Sequence, residues 1–183
     1  MTASAVGRGR VLTLRQWQTQ LMTGDGVLRP MTEEDLPEVL RFNADHVQLL
    51  SPLDDERLRR LLTWTNRADM ITCDGQNAGF VLMFGPDTDY DSANYQWFSA
   101  RFGSDFSYLD RIVVDDAFRR RGVASAVYDV LEGAASQRAR LVLEVNLDPP
   151  NEPSLAFHRR RGYHEVGRLG EPGHEVTLMA KDL

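Results

Sequence analysis

The sequence predicts a mixed α/β domain, one sheet flanked by helices, on three observations. An apolar run, Ile112-Val113-Val114, passes through a polar turn, Asp115 to Phe118, into Val123, Ala126, Val127, Val130, Leu131 and Ala134, the spacing of one buried helix face. Leu141, Leu143 and Val145 alternate as a strand, and a second helical run follows after Pro153. Two further apolar runs, 69–73 and 78–84, flank Asp74-Gly75-Gln76-Asn77, the turn chemistry of a hairpin.

The elements follow in order. Residues 1 to 25 stand apart as an N-terminal extension, in which Val11, Leu14, Trp17, Leu21 and Met22 suit an amphipathic turn or two before the break at Thr23-Gly24-Asp25-Gly26. One domain is expected from 26 to 183. Val27 to Pro30 reads as the first strand. Asp35, with Pro37 and Glu38 behind it, signals a helix start, and that helix is expected to reach about Leu50, where Ser51-Pro52 breaks it. Asp54 to Trp64 reads as a second helix with Leu58, Leu61 and Leu62 inward. The hairpin comes next, then a long aromatic-rich loop from Pro86 to Gly103, a strand from Phe106 to Val114, and the helix after the basic turn. A strand over 140–146, a helix ending near Gly162, and two short strands, 164–169 and 175–179, complete the chain.

The basic turn is Arg119-Arg120-Arg121-Gly122-Val123-Ala124. A strand, a glycine-containing basic turn and a helix N-terminus together bind phosphate, because the first helical N–H groups lack internal partners and lie at the positive end of the macrodipole. Gly122 permits close approach to the backbone. The order Arg119-x-x-Gly122-x-Ala124 resembles the (Arg/Gln)-x-x-Gly-x-(Gly/Ala) signature of the GNAT superfamily, the GCN5-related N-acetyltransferases. A second segment supports the resemblance. Asn151, Ser154, Phe157, Gly162 and Tyr163 fall on that family's pattern Asn-x-x-(Ala/Ser)-x-x-(Leu/Phe)-Tyr-x-x-x-Gly-(Phe/Tyr). The resemblance covers roughly residues 26 to 180.

It implies the GNAT fold: a mixed, mostly antiparallel sheet splayed between its fourth and fifth strands, with acetyl-CoA in the gap. It further implies transfer of an acetyl group from acetyl-CoA to a primary amine of a small molecule, peptide or protein. The cofactor would be held by residues 119 to 125 (Arg119, Arg120, Arg121, Gly122, Val123, Ala124, Ser125), by Asn151, Ser154 and Phe157, and by the backbones of Ile112, Val113 and Val114. An N–H of Val113 or Val114 would face the thioester oxygen. Two positions depart from the common pattern: Arg120 stands where many members carry Gly, and Asp116 where many carry Pro. His158 replaces the tyrosine that protonates the departing thiolate in many members; a histidine can donate a proton near neutral pH. Tyr108, Asp110, Ile112 and Val114 are expected on one strand face, which makes Asp110 the first candidate base, with Tyr108 beside it and Glu144 on the fifth strand second. The family's acceptor region points to Asn43, His46, Tyr90, Asp91, Asn94, Tyr95 and Trp97. A non-catalytic acyl-CoA-binding sensor on the same fold stays open, and members are often dimers, so the resemblance admits a homodimer.

Composition bounds these readings. With 183 residues the chain can bury a substantial core. Net charge −6 and a sequence pI near 5.2 argue against nucleic acid as the main partner. No apolar run approaches the roughly 20 residues of a membrane helix, and the arginines near the N-terminus precede no apolar segment, so neither membrane nor secretory signal is expected, and the cytoplasm is. Cys73 is the single cysteine and reads as a small buried apolar residue. The four histidines are dispersed, and no metal site is expected. Arginine dominates the basic residues, and Lys181 is the one lysine.

Overall fold

The computed structural model describes residues 27–48 and 50–183; the expected N-terminal extension and its amphipathic run lie outside them. The strands are β1 (Leu28–Pro30), β2 (Arg67–Cys73), β3 (Gln76–Phe84), β4 (Ser107–Val114), β5 (Arg140–Asn146), β6 (His164–Leu169) and β7 (Val176–Asp182). The helices are α1 (Leu36–Asp45), α2 (Asp55–Trp64), α3 (Ala93–Phe102), α4 (Val123–Ala135) and α5 (Glu152–Arg160). One sheet forms in the order β1-β2-β3-β4-β5-β7-β6. Its pairs are antiparallel except β4–β5, which is parallel. That is the predicted mixed α/β architecture. No described helix is long and apolar enough to cross a membrane.

Local chemistry sets the element ends. Asp74-Gly75 makes the two-residue hairpin turn between β2 and β3, both residues at positive φ (51° and 73°), the backbone that matches strand twist. Asp54 caps α2 by accepting the Arg57 N–H, and Asn151 caps α5 by accepting the Ser154 N–H. The first helix stops at Asp45, short of Leu50. The stretch 86–103, expected as a loop, contains α3. Ser92 caps it through the Tyr95 N–H, and Tyr95 and Phe98 bury its inner face with Phe102 packed beside them. Their spacing of three and four residues is that of a helix stripe.

Two hydrophobic layers sandwich the sheet. On one face α1, α2 and α3 bury Leu36, Val39, Phe42, Leu58, Leu61, Tyr95 and Phe98 against Phe80, Leu82, Phe84, Tyr108, Val113 and Val142. On the other, α4 and α5 bury Val123, Val127, Tyr128, Leu131 and Leu155 against Leu109, Leu141, Leu143 and Val145. A clamp ties the second layer together. The Glu132 carboxylate on α4 accepts from Arg161 Nε (3.0 Å), Lys181 Nζ (2.7 Å) and the Tyr163 hydroxyl (3.2 Å). Arg161, just past the end of α5, is therefore a half-buried bridge from that end to α4.

A bulge in β4 corrects the expected strand face. Leu82 pairs with Arg111 and Met83 with Leu109, leaving Asp110 without a partner. The extra residue inverts the alternation beyond it. Tyr108 and Val113 pack on the α1–α3 side, whereas Leu109, Ile112 and Val114 belong to the α4–α5 side. Asp110 and Arg111 both reach toward the first layer. Tyr108 and Asp110 thus do not share a face with Ile112 and Val114.

Candidate functional site

The bulge sits where the sheet opens. β4 and β5 pair at Ser107–Leu141 and Tyr108–Val142, and the pairing goes no further. Beyond Tyr108 the two strands diverge, as the resemblance implied. The Asp115 N–H is donated to the Ala78 carbonyl at 2.8 Å, so residue 115 turns its N–H toward the β3 side. Val113 also faces β3: its carbonyl oxygen lies 1.8 Å from where a Cβ on Gly79 would stand. Because strand backbones alternate, the N–H groups of Ile112 and Val114 face the opposite, open edge. Of the two expected donors to a carbonyl oxygen in the gap, Val114 is the one turned toward it.

The basic turn closes one end of this gap. Asp115 accepts the Ala117 N–H and begins a short 3-10 turn at Asp116–Phe118. Arg119 pairs with Asp116 (2.9 Å), and Arg121 pairs with Asp74 of the hairpin while lying over the Phe118 ring. Arg120 is exposed at φ 59°, the left-handed conformation a glycine adopts freely; an L-residue pays about 1–2 kcal/mol for it. The backbone path that glycine serves in the common pattern is therefore kept in its absence. Gly122 follows at φ 81°, and a Cβ there would meet nothing within 4 Å. The first helical bond of α4 runs from the Ala126 N–H to the Gly122 carbonyl, which leaves the N–H groups of Val123, Ala124 and Ser125 without intrahelical acceptors. Open space at Gly122, three N–H groups without intrahelical acceptors, a helix N-terminus and a strand edge left unpaired among the described residues suit a pyrophosphate followed by an extended amide chain.

A polar cluster lies on the α1–α3 side of the opening. Asp110 accepts from the Tyr90 hydroxyl at 2.6 Å and from Arg111 Nε at 3.2 Å. Arg111, 6% exposed, also donates to Asn43 Oδ1 (2.6 Å) and the Ser51 carbonyl (2.8 Å). Burial raises the Asp110 carboxyl, and the adjacent Arg111 guanidinium opposes the rise. Glu144, two residues past the last β4–β5 pair, has no ion pair among the described residues. Burial first, and the Asp110 charge second, push its carboxyl up to about 8, with Tyr108 and Asn94 close by. Its Oε2 and the Tyr108 hydroxyl are both buried, and neither has a hydrogen-bond partner among the described residues. Tyr108 itself is fully buried, ringed by Phe84, Tyr90, Tyr95 and Phe98 at centroid distances of 5.7–6.3 Å. Of the two carboxyls expected as bases, Asp110 is committed to an ion pair and Glu144 is not.

His158 occupies a different environment from the one its sequence position suggested. Its Nδ1 donates to the Ser154 carbonyl (2.8 Å), so Nε2 accepts from the Tyr128 hydroxyl (2.6 Å). Phe157, Tyr128 and Tyr163 enclose the ring edge-on. Burial lowers the imidazole to about 4. At neutral pH it is uncharged, with both nitrogens engaged inside the protein, which removes the proton the thiolate-acid role would use. Tyr128, the partner that fixes this tautomer, was not singled out from sequence; its one signal there is a polar-tipped aromatic beside Val127 on the α4 stripe.

The acceptor candidates separate in the same way. Asn43 is buried and spent on Arg111 and Ser51. Tyr95 donates to the Gly85 carbonyl and accepts the Thr88 N–H. Trp97 packs on β6, so close to Gly167 that a Cβ there would lie 2.5 Å from the indole. His46 links the end of α1 to the basic turn, with Nδ1 on the Phe42 carbonyl and Nε2 3.4 Å from Asp116. Asp91 pairs with Arg57. Tyr90 and Asn94 are the two brought to the Asp110–Glu144 cluster. No group of three or more His, Cys, Asp or Glu side chains among the described residues is placed to hold a metal ion.

Comparison with known proteins bears on the family and the fold. Residues 33–163 match the model of the acetyltransferase (GNAT) family. No curated protein is a significant match. Among solved structures, the chain is similar to Ard1 from Thermoplasma volcanium (TM-score 0.67, 18% identity, covering 85% of this chain and 96% of that one). It is similar as well to a ribosomal-protein-alanine N-acetyltransferase from Brucella melitensis (TM-score 0.60, 22% identity, 85% and 99% covered). A third is an aminoglycoside acetyltransferase, AAC(6')-Ib, in complex with coenzyme A (TM-score 0.67, 14% identity, 85% and 94% covered). At these identities the likeness is one of fold.

Proposed function

The chain belongs to the acetyltransferase (GNAT) family, and from that membership we propose that it is an acetyl-CoA-dependent N-acetyltransferase acting on a primary amine of a small molecule, peptide or protein. The observation that carries the proposal is the opening between β4 and β5, with the open space at Gly122 on one side and, on the other, the Glu144 carboxyl, which has no ion pair among the described residues. When bound, acetyl-CoA supplies an acetyl group activated as a thioester. The N–H groups of Val123, Ala124 and Ser125, assisted by Arg119, Arg120 and Arg121, hold its phosphates. The open edge at Ile112 and Val114 receives the pantetheine amides, and the Val114 N–H is the donor available to the carbonyl oxygen. Asn151, Ser154 and Phe157 line the α5 side.

Glu144 is the base in this reading. A carboxyl with pKa near 8 is roughly one tenth ionised at pH 7, and its ionised form is a stronger base than an ordinary carboxylate. Asp110 and Arg111 position the first layer around it. His158 serves as a positioning residue that fixes Tyr128 and the wall of α5. His158→Gln is then expected to lower thermal stability by about 1–3 kcal/mol, through a buried Tyr128 hydroxyl left poorly partnered, while the pH profile of kcat keeps its shape. A loss of turnover beyond tenfold at unchanged melting temperature would return His158 to proton transfer.

Calorimetry with acetyl-CoA, followed by thiol release against amines, tests the proposal. Gly122→Val places no Cβ against protein atoms but forces a β-branched residue to φ 81°. It should cost about 1–2 kcal/mol of stability and weaken acetyl-CoA binding by about tenfold or more, equivalent to ~1.4 kcal/mol. Unchanged affinity would remove the phosphate cradle from residues 119 to 125. One observation, the absence of a charged acid at His158, favours a non-catalytic acyl-CoA-binding sensor; binding without amine-dependent thiol release would select it.

A further inference from the structure

We infer that the acceptor site selects amines that enter as cations with no acidic group beside the nitrogen, the ammonium lodging against Glu144 Oε2 and the Tyr108 hydroxyl. The inference rests on the acetyltransferase reading and specifies its second substrate. Its basis is an inventory of charge and hydrogen-bond capacity around Glu144. From β4 the cluster receives Tyr108, Asp110 and Arg111; from the segment before α3, Tyr90; from α3, Asn94; from α1, Asn43. Among the described residues Arg111 is the cation of this group; its Nε donates to Asp110 and its Nη1 to Asn43 and the Ser51 carbonyl. Arg57 is engaged outside, on Asp91. Among the described residues the one internal cation therefore pairs with Asp110, and Glu144 has no counter-charge.

The unpartnered atoms are acceptors. Glu144 Oε2 can accept, and so can the Tyr108 oxygen. Leaving such groups buried and unpaired costs free energy that a ligand with N–H donors recovers. An ammonium brings three donors and the missing positive charge. In surroundings made of Phe84, Tyr90, Tyr95 and Phe98, charge interactions are stronger than in water. A carboxylate attached next to the amine would meet Asp110 and Glu144 as like charges in the same enclosure, so α-amino acids are disfavoured relative to their amides or decarboxylated counterparts.

The same placement predicts a proton balance. An arriving cation favours the ionised form of Glu144, whose proton leaves to solvent as the amine binds. The bound carboxylate is then the base beside the ammonium. Substrate charge thereby generates the base it needs.

Three matched pairs test the inference: tyramine with tyrosine, propylamine with β-alanine, and alaninamide with alanine. Thiol release from acetyl-CoA should give a kcat/KM at least tenfold higher for the amine lacking the carboxylate in the pairs that react. Tyr108→Phe should raise KM for the amine severalfold and leave KM for acetyl-CoA unchanged, a split that a general packing defect would not produce. Calorimetry of the preferred amine on CoA-saturated protein, in buffers of different ionisation enthalpy at pH 7, should register release of about one proton. In Glu144→Gln that release should vanish. Equal or better use of the carboxylate partners, no turnover of any pair by protein that binds acetyl-CoA, or amine binding without proton release would overturn the inference. Failure to bind acetyl-CoA in the same calorimeter would overturn the acetyltransferase reading beneath it.

Discussion

Glu144→Gln is expected to lower kcat/KM for the amine by about 100-fold or more, the usual scale for loss of a positioned base, while acetyl-CoA affinity stays within about twofold. The pH dependence identifies the cause. In the parent protein the active form is the carboxylate, so kcat/KM rises with pH through about 8; in the glutamine variant that limb is lost. Stability supplies an independent check with a definite sign. Because burial raises the folded-state carboxyl, the folded protein holds this proton between the ordinary carboxyl range and about 8, where the unfolded chain has lost it. Its contribution to stability is complete below the ordinary range and declines as pH rises through about 8. The glutamine variant should escape that decline and be the more stable of the two at pH 9. An unchanged rate and limb, measured by thiol release, would take Glu144 out of the chemistry.

Gly79→Ala should be the most damaging single-methyl change in the described part of the sheet. Gly79 lies opposite Val114 at φ 149°, and an added Cβ would stand 1.8 Å from the Val113 carbonyl oxygen and 2.8 Å from its carbon. These are backbone atoms of a paired strand, so no rotamer change relieves the overlap. Either β3 or the end of β4 must move. The expected loss is on the order of 3 kcal/mol, a fall in melting temperature of about 6–12 °C for a chain of this size. Ile112 and Val114 present the open edge toward the gap, so acetyl-CoA affinity should fall together with stability. A melting temperature within about 2 °C of the parent would mean that Val113 does not hold the position described.

Much of the architecture was legible because it is written in local chemistry. Asp74-Gly75 dictates its hairpin through positive φ, and the α4 stripe from Val123 to Leu131 has a single helical reading. The order of the strands and the basic turn followed from the same kind of signal, whereas α3 did not. Where the sequence misled, two periodicities competed. Tyr95, Phe98 and Phe102 read as aromatic loop residues because polar neighbours surrounded them, yet their spacing was that of α3. The shared strand face of Tyr108, Asp110, Ile112 and Val114 assumed unbroken alternation, and one unpaired residue at Asp110 was enough to invert it.

The roles of the ionisable residues belonged to tertiary structure. Asp110, Glu144 and His158 were all visible as chemistry-bearing side chains, but their chemistry depends on what surrounds them. Arg111 arrives beside Asp110, no cation among the described residues pairs with Glu144, and Tyr128 with Ser154 engages both nitrogens of His158. The family, the order of the strands along the chain and the basic turn with its glycine could be read from the sequence, because short-range spacing and backbone conformation encode them. Only the folded chain decided which carboxyl is left without a counter-charge and which histidine is buried neutral, because desolvation and pairing are set by residues far apart in sequence.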